Sequence, residues 1–311
     1  MDTNVTINNY LNDYSAYFQS IERKLFVDIV YRKTSITKLK ESNQKLYGIN
    51  ARQFNSIKAQ IDGKIKAVKE LKKLELQAKS IKLVGLNKDL TKYTKDKEKW
   101  LIKLTSTEKN SLYFVEVAKK YKYCKTKIHY IKRQVQNIIF KISKINEDSE
   151  RNIVRICFGS KDLFKKQYEL EKNNYSNHKQ WKTEWNKSRS NQFLCLGSKD
   201  ETFGNQTCQY DDNNNLRIKV ATRFEKTYGK YIEIKNVEFK YGQAQIDKCK
   251  ISYSEYTKSY NRQKYYKAMT HRFYKNEFGW YLFTTVEVDE TAKINNSRVG
   301  AIGIDFNVNF A

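Results

Sequence analysis

Apolar residues in the first half of the chain recur at intervals of three and four, the spacing of one face of an α-helix. Three stripes share this spacing: Leu11, Tyr14, Phe18, Ile21, Leu25 and Ile29; Phe54, Ile57, Ile61, Ile65, Val68 and Leu71; and Ile128, Ile131, Val135, Ile138, Ile142 and Ile145. In the second and third segments most of the lysines fall outside the stripe. The pattern predicts antiparallel helices that share a core and display their lysines outward.

The pattern changes near residue 190. Apolar runs rich in β-branched and aromatic residues follow at 192–196, 216–220, 231–239 and 280–288, separated by glycines and by an Asp/Asn cluster. Such runs predict strands and turns, and residues 272–283 are typical of a hairpin. We therefore expect an α+β chain, with an antiparallel helical bundle over residues 1–190 and an antiparallel β-rich barrel or sandwich over residues 191–298.

The net charge of the chain indicates what kind of partner it binds. The 311 residues contain 60 Lys+Arg and 34 Asp+Glu, a formal net charge of +26, while 39% of residues are hydrophobic. That apolar content is enough to build a core, so disorder is not expected. Residues 1–190 carry a net charge of +22 and residues 191–311 only +4. A charge so far beyond what solubility needs predicts a polyanionic partner for the helical half.

Other classes are disfavoured. No apolar run approaches the roughly 20 residues that span a membrane, and the amino-terminal residues lack the basic-then-apolar order of a secretion signal. We expect a protein of a bacterial-type cytosol or nucleoid, without membrane association. The five cysteines lie far apart and form no C-x-x-C pair, which favours free thiols over a zinc site.

The lysine-rich helical faces are the first candidate binding residues. A cation that neutralises a phosphate releases counterions, so such a face can follow a nucleic-acid backbone. A lone lysine face is more often simply solvated, but the concentrated charge of this half favours binding. The candidates are Arg52, Lys58, Lys64, Lys66, Lys69, Lys132 and Arg133.

Aromatic residues among cations give a second set. Trp181 and Trp185 lie one helical turn apart among lysines, so they either stack on unpaired bases or pack in a core. The tyrosine-rich segment 253–267 contains Arg262 and Lys264, and either an RNA contact or a packed surface helix fits it.

The carboxyl-terminal residues carry the candidate chemistry. Residues 299–305 read Val-Gly-Ala-Ile-Gly-Ile-Asp, an apolar strand that ends in one carboxylate, Asp305. Mg²⁺ prefers oxygen ligands held rigidly, and a strand end can hold one. An isolated Gly-x-Asp is more often a turn or cap aspartate satisfied by nearby backbone.

The order of these parts resembles the TnpB (OrfB) family of insertion-sequence proteins, which are relatives of the type V CRISPR effectors. Members carry a Trp/Tyr-rich strand, here Gly279–Glu287, just ahead of a Gly-Ile-Asp strand, here ending at Asp305. Residues 48–57, Gly-Ile-Asn-Ala-Arg-Gln-Phe-Asn-Ser-Ile, also look like a helix start in the family's recognition region.

The resemblance implies a recognition-like helical region, a wedge-like β region, and residues 299–311 as the first strand of a RuvC-like (RNase H-like) nuclease domain. It implies a guide RNA, a DNA target and a site in which carboxylates hold two Mg²⁺ ions for phosphodiester hydrolysis. Asp305 matches the first carboxylate, as catalytic residue and metal ligand.

The sequence ends six residues after Asp305, so the family's later carboxylates and zinc-binding cysteine pairs have no counterpart in it. We therefore expect a truncated relative that binds RNA, and through it DNA, but does not cleave unaided. A non-catalytic structural or regulatory nucleic-acid-binding protein is the alternative, and a helical scaffold for acidic proteins is a third hypothesis.

Overall fold

The computed structural model describes residues 3–199, 201–250 and 266–288. The chain divides into two compact units, one comprising Asn8–Phe193 and the other Met1–Ile7 with Leu194–Ala311. The first is helical, whereas the second contains two three-stranded sheets, so the fold is mixed α+β. No closed barrel is present among the described strands, and the predicted RuvC-like strand at 299–311 lies outside the described residues.

Helices account for most of the first unit, and the three predicted stripes are confirmed as helical. The helices are α1 (Thr3–Val30), α2 (Ile36–Tyr47), α3 (Ala51–Ser106), α4 (Leu112–Glu150), α5 (Lys161–Lys165) and α6 (His178–Ser188). The stripe on α1 is buried from Leu11 to Leu25, as its spacing predicts. Packing of this apolar face, rather than intrinsic helix propensity, supplies most of the stability of such a helix.

Local capping fixes the junction between α2 and α3. Gly48 follows α2 with a φ of 56°, a left-handed conformation that glycine adopts without a steric penalty. The Asn50 side chain then accepts a hydrogen bond from the Gln53 backbone at 2.8 Å, while the Asn50 backbone donates to the Gln53 side chain at 3.0 Å. This capping box satisfies two backbone amide groups and sets the first residue of α3.

α3 and α4 form a long antiparallel hairpin joined by residues 107–111. Four α4 residues seven positions apart are buried, namely Val117, Cys124, Ile131 and Ile138. Apolar positions that repeat every seven residues keep the same flank of a helix against its neighbour, as in a coiled coil. The opposing α3 residues run in the reverse direction, since Leu86 lines a groove with Ile131 and Tyr93 lines one with Cys124.

One end of the second predicted stripe is wrong. Phe54, Ile57 and Ile61 are buried, but the Leu71 side chain is 64% exposed. The partly buried α3 positions advance from Val68 to 72 and then to 76, two successive steps of four residues. A repeated four-residue step rotates the contact line around the helix, which moves residue 71 out of it.

The described strands form two sheets. The strands are β1 (Gln192–Cys195), β2 (Cys208–Tyr210), β3 (Leu216–Lys219), β4 (Tyr231–Ile234), β5 (Met269–Asn276) and β6 (Gly279–Val286), with helices α7 (Glu225–Tyr228) and α8 (Gln243–Lys250) between them. One sheet has the order β1-β5-β6 and the other β2-β3-β4. β2, β3 and β4 are antiparallel neighbours, as are β5 and β6.

The strand predictions are confirmed for β1, β3, β5 and β6. The predicted strand at 231–239 ends at Ile234, because Asn236 adopts a φ of 55° that is incompatible with an extended strand. The predicted hairpin joins β5 to β6, where the Asn276 side chain accepts hydrogen bonds from the backbone of Phe278 and Gly279 at 2.9 and 3.1 Å. This Asx-type turn fixes the register of the two strands.

Asn205 ties three segments of the second unit together. Its side-chain nitrogen donates to the carbonyl oxygens of Cys195 and Met269, each at 2.9 Å. Its side-chain oxygen accepts from the backbone of Thr207 and Cys208 at 3.0 and 2.9 Å. The residue is fully buried and every polar atom of its amide is paired, so this network both holds and specifies the packing around it.

Candidate nucleic-acid interface

The central part of α4 carries cations and no carboxylates. Residues 117–146, which we call the basic segment, contain nine Lys or Arg side chains and no Asp or Glu. All nine are exposed: Lys119, Lys120, Lys122, Lys125, Lys127, Lys132, Arg133, Lys141 and Lys144. At about 1.5 Å per helical residue the segment is roughly 45 Å long.

Most of these cations are uncompensated. Lys120 pairs with Glu116 and Lys144 lies 3.5 Å from Glu147, both carboxylates lying beyond the ends of the basic segment. The other seven cations form no ion pair with a described residue. The α4 residues buried against α3 are apolar, so the cations lie on the remaining, solvent-facing sides of α4. Their positive electrostatic potentials add along the helix.

The predicted binding residues fall into two groups. Lys132 and Arg133 lie on the basic segment, and Lys66 and Lys69 are exposed on α3. By contrast Lys58 pairs with Asp62 one helical turn away, and Arg52 is half-buried in the first turn of α3 with interactions of its own. Lys132, Arg133, Lys66 and Lys69 are therefore accessible to a partner. Lys58 and Arg52 are instead engaged by contacts within the protein.

Lys64 has a structural role that its sequence position does not reveal. Its ammonium group donates to both carboxylate oxygens of Glu22 on α1, at 2.7 and 2.8 Å. Burial raises the pKa of Glu22, although the charge and hydrogen bonds of Lys64 act in the opposite direction. A phosphate would have to displace a buried carboxylate from this lysine, so Lys64 is corrected to a half-buried residue that pairs with the core carboxylate of Glu22.

Trp181 and Trp185 are likewise corrected to core residues. Their side chains are 4% and 8% exposed, in a cluster with Leu163 and Tyr175. The Trp181 ring nitrogen donates to the Leu163 carbonyl oxygen at 2.8 Å, and the Arg189 guanidinium lies 5.5 Å from the centre of the Trp185 ring. A base would have to open this cluster before it could stack on either indole.

A second cationic cluster lies where α4 ends. Lys72 donates to the Ile153 carbonyl oxygen at 2.9 Å and lies 3.6 Å from the Asp148 carboxylate, which Arg155 also contacts. Burial alone would raise the pKa of Asp148, but Arg155 and Lys72 together outweigh it and lower that pKa. The single carboxylate offsets one of the two cations, so the cluster joins α3 to the segment after α4 and keeps a net charge of +1.

Sequence reasoning missed an aromatic strip on the hairpin. Tyr123 and Tyr130 on α4 are 54% and 60% exposed, and they lie beside Tyr93 and Trp100 of α3. A signal was present in the sequence, because the seven-residue repeat of buried α4 positions predicts which residues flank the contact with a partner helix.

Three candidates lie outside the described residues: Arg262, Lys264 and Asp305. The structure therefore does not place the predicted Mg²⁺ ligand. Of the tyrosine-rich segment it describes Tyr266, which is buried and whose hydroxyl group donates a hydrogen bond to the Asp212 carboxylate. Within residues 3–199, 201–250 and 266–288, no group of three or more His, Cys, Asp or Glu side chains could hold a metal ion. No helix in those ranges is long and apolar enough to cross a membrane.

No protein-family description, curated protein or solved structure matches this chain.

Proposed function

We propose that this chain binds RNA, and through it DNA, as the front part of a protein of the TnpB type. In this proposal the helical unit serves as a recognition region, the β-rich unit serves as a wedge, and Asp305 opens a RuvC-like domain that uses Mg²⁺. The observation that carries the binding proposal is the basic segment, with nine exposed cations and no carboxylate over residues 117–146.

Polyelectrolyte physics favours a nucleic acid as the partner of this surface. Cations fixed along a single long helix can meet a phosphate backbone at many points, and each neutralised phosphate releases condensed counterions. The gain is entropic and needs no deep pocket, which suits the open, elongated surface of a two-helix hairpin. An acidic protein would offer fewer and less regularly spaced charges to a segment of this length.

A salt series tests the proposal on the full chain. We expect the logarithm of the association constant for a labelled RNA to fall linearly with the logarithm of salt concentration, with a slope of roughly −0.7 to −0.9 per phosphate contacted. Replacing Lys122, Lys125, Lys132 and Arg133 by Gln should make this slope shallower by about 3 if all four contact phosphate.

A charge-matched control separates the basic segment from net charge. Lys45, Lys73, Lys165 and Lys172 are exposed but lie beside Glu41, Glu70, Asp162 and Glu169, respectively. Replacing these four by Gln removes the same formal charge, yet we expect the slope to change by less than about 1. Equal effects of the two quadruple variants would reject the basic segment as the binding surface, and a salt-independent affinity would reject nucleic-acid binding altogether.

A further inference from the structure

Lysines and tyrosines alternate along one flank of α4. Lys120, Tyr123, Lys127 and Tyr130 follow one another at intervals of three, four and three residues, which places them on the same side of the helix. This flank adjoins the contact with α3, where partly exposed rings are supported by the neighbouring helix. Tyr123 and Tyr130 are separated by about two helical turns, roughly 10 Å along the axis.

Two further aromatic rings, those of Tyr93 and Trp100, come from α3. The Tyr93 and Tyr123 rings meet edge to face with centroids 6.2 Å apart, so each restricts the rotation of the other. Further along the hairpin, the ammonium groups of Lys120 and Lys103 lie 4.9 and 5.1 Å from the centre of the Trp100 ring. We call Tyr93, Trp100, Tyr123 and Tyr130 the aromatic strip.

Both helices contribute charged side chains to the grooves beside the aromatic strip. Asp89 and Asp96 of α3 line the two grooves beside the rings, whereas lysines 119, 120 and 127 lie on the α4 side. A carboxylate repels phosphate but accepts hydrogen bonds from the amino groups of bases. A strand whose phosphates contact the α4 lysines can therefore place the amino groups of its bases near Asp89 and Asp96.

We infer that the aromatic strip stacks the unpaired bases of a single-stranded nucleic acid while the lysines of α4 neutralise its phosphates. This inference rests on the proposed nucleic-acid binding and names the strand form that the hairpin selects. Aromatic side chains stack on any base, because every base has a π face, whereas a duplex keeps its base faces covered. Half-exposed tyrosines held by a neighbouring helix lose little conformational freedom when a base stacks on them.

Three labelled probes of equal length test the inference by fluorescence anisotropy: oligouridylate, an abasic oligonucleotide and an RNA duplex. Alanine substitution of a stacking ring weakens single-strand binding by about tenfold. We therefore expect the full chain with Tyr123→Ala and Tyr130→Ala to bind oligouridylate about 100-fold more weakly, while its affinity for the other two probes changes less than about twofold. Replacing both tyrosines by Phe should preserve oligouridylate binding.

Matched controls separate stacking from structure. Tyr168 and Tyr241 are 74% and 81% exposed and belong to neither α3 nor α4, so their double Ala variant should bind oligouridylate like the unmodified chain. In the unmodified chain, photo-crosslinking to 4-thiouridine RNA should label Tyr123 or Tyr130. Crosslinks confined to other residues would contradict the inference without any substitution.

The possible failures are distinguishable. An unmodified chain that binds none of the probes in a salt-dependent manner would overturn the proposed function, and the inference with it. A chain that binds all three probes, but whose Tyr123→Ala and Tyr130→Ala variant keeps its oligouridylate affinity, would overturn the aromatic strip alone. Equal losses of affinity for oligouridylate and for the abasic probe in that variant would also overturn the aromatic strip and leave the proposed function standing.

Discussion

Glu22 and Lys64 form a buried ion pair between α1 and α3, in which the lysine ammonium group lies 2.7 and 2.8 Å from the two carboxylate oxygens. The Glu22 side chain has no solvent exposure, and burial raises its pKa. Without Lys64 the buried carboxylate keeps only the hydrogen bond from Gln60 and the more distant charge of Arg23. The pair is therefore costly to break from either side.

We expect Lys64→Met to lower the free energy of unfolding by about 3 kcal/mol, because it removes the cation that contacts both oxygens of the buried Glu22 carboxylate. Lys66→Met is the matched control, since Lys66 is exposed two residues further along the same helix, and it should change stability by less than about 0.5 kcal/mol. Urea unfolding followed by circular dichroism measures both. Equal stabilities for the two variants would contradict a structural role for Lys64.

Asn205→Ala should destabilise the second unit by about 3 kcal/mol or more. The substitution leaves the carbonyl oxygens of Cys195 and Met269 and the amide groups of Thr207 and Cys208 without their partner, at about 1 to 3 kcal/mol for each unsatisfied buried group. Urea titration of the variant measures the loss. Asn213→Ala, at an exposed turn position, is the control that should remain within about 0.5 kcal/mol of the original chain.

The stability of the second unit should fall as the pH is lowered through the range of histidine titration. His271 is fully buried beside the Thr284 hydroxyl, and burial lowers its pKa from 6.5 to about 4. Below pH 6.5 His271 binds a proton in the unfolded chain but stays neutral in the folded chain. The contribution of His271 to the free energy of unfolding is therefore fully present above pH 6.5 and declines as the pH approaches 4. At pH 5 the loss is about 2 kcal/mol.

The measurement is the difference between unfolding free energies at pH 7.5 and pH 5.0. His271→Leu should reduce this difference by about 2 kcal/mol, because the variant has no group to protonate there. If His271→Leu retains the full pH dependence, other groups carry it.

The packing of α4 on α3 predicts that alanine substitutions at two α4 residues nine positions apart differ strongly in their effect on stability. Ile131 is 7% exposed in the seam with α3, whereas Phe140 is 71% exposed. We expect Ile131→Ala to lower the free energy of unfolding by about 2 to 5 kcal/mol and Phe140→Ala to change it by less than about 0.5 kcal/mol. Thermal or urea unfolding of both variants tests the register, since a helix rotated by half a turn would reverse the order.

Much of the fold follows from the sequence alone. The helical stripes on α1, α3 and α4 and the strands β1, β3, β5 and β6 obey a periodicity that backbone geometry imposes on neighbouring residues. The concentration of positive charge before residue 190 is equally a property of the sequence, and it motivates the proposal of a polyanionic partner. The predicted role of Asp305 stays a prediction, because that residue lies outside the described ranges.

Only the tertiary structure decided which members of these patterns are accessible. Lys64 and Lys66 are chemically identical, yet Lys64 pairs with the buried Glu22 carboxylate and Lys66 is exposed. Trp181 and Trp185 fit both stacking and packing by spacing, and contacts with Leu163 and Tyr175 buried them. The aromatic strip arises only because α3 and α4 pair in reverse, bringing Tyr93 beside Tyr123. Local periodicity depends on bonds between neighbours, whereas burial depends on contacts between residues far apart in the chain, so the same short pattern has different outcomes in different surroundings.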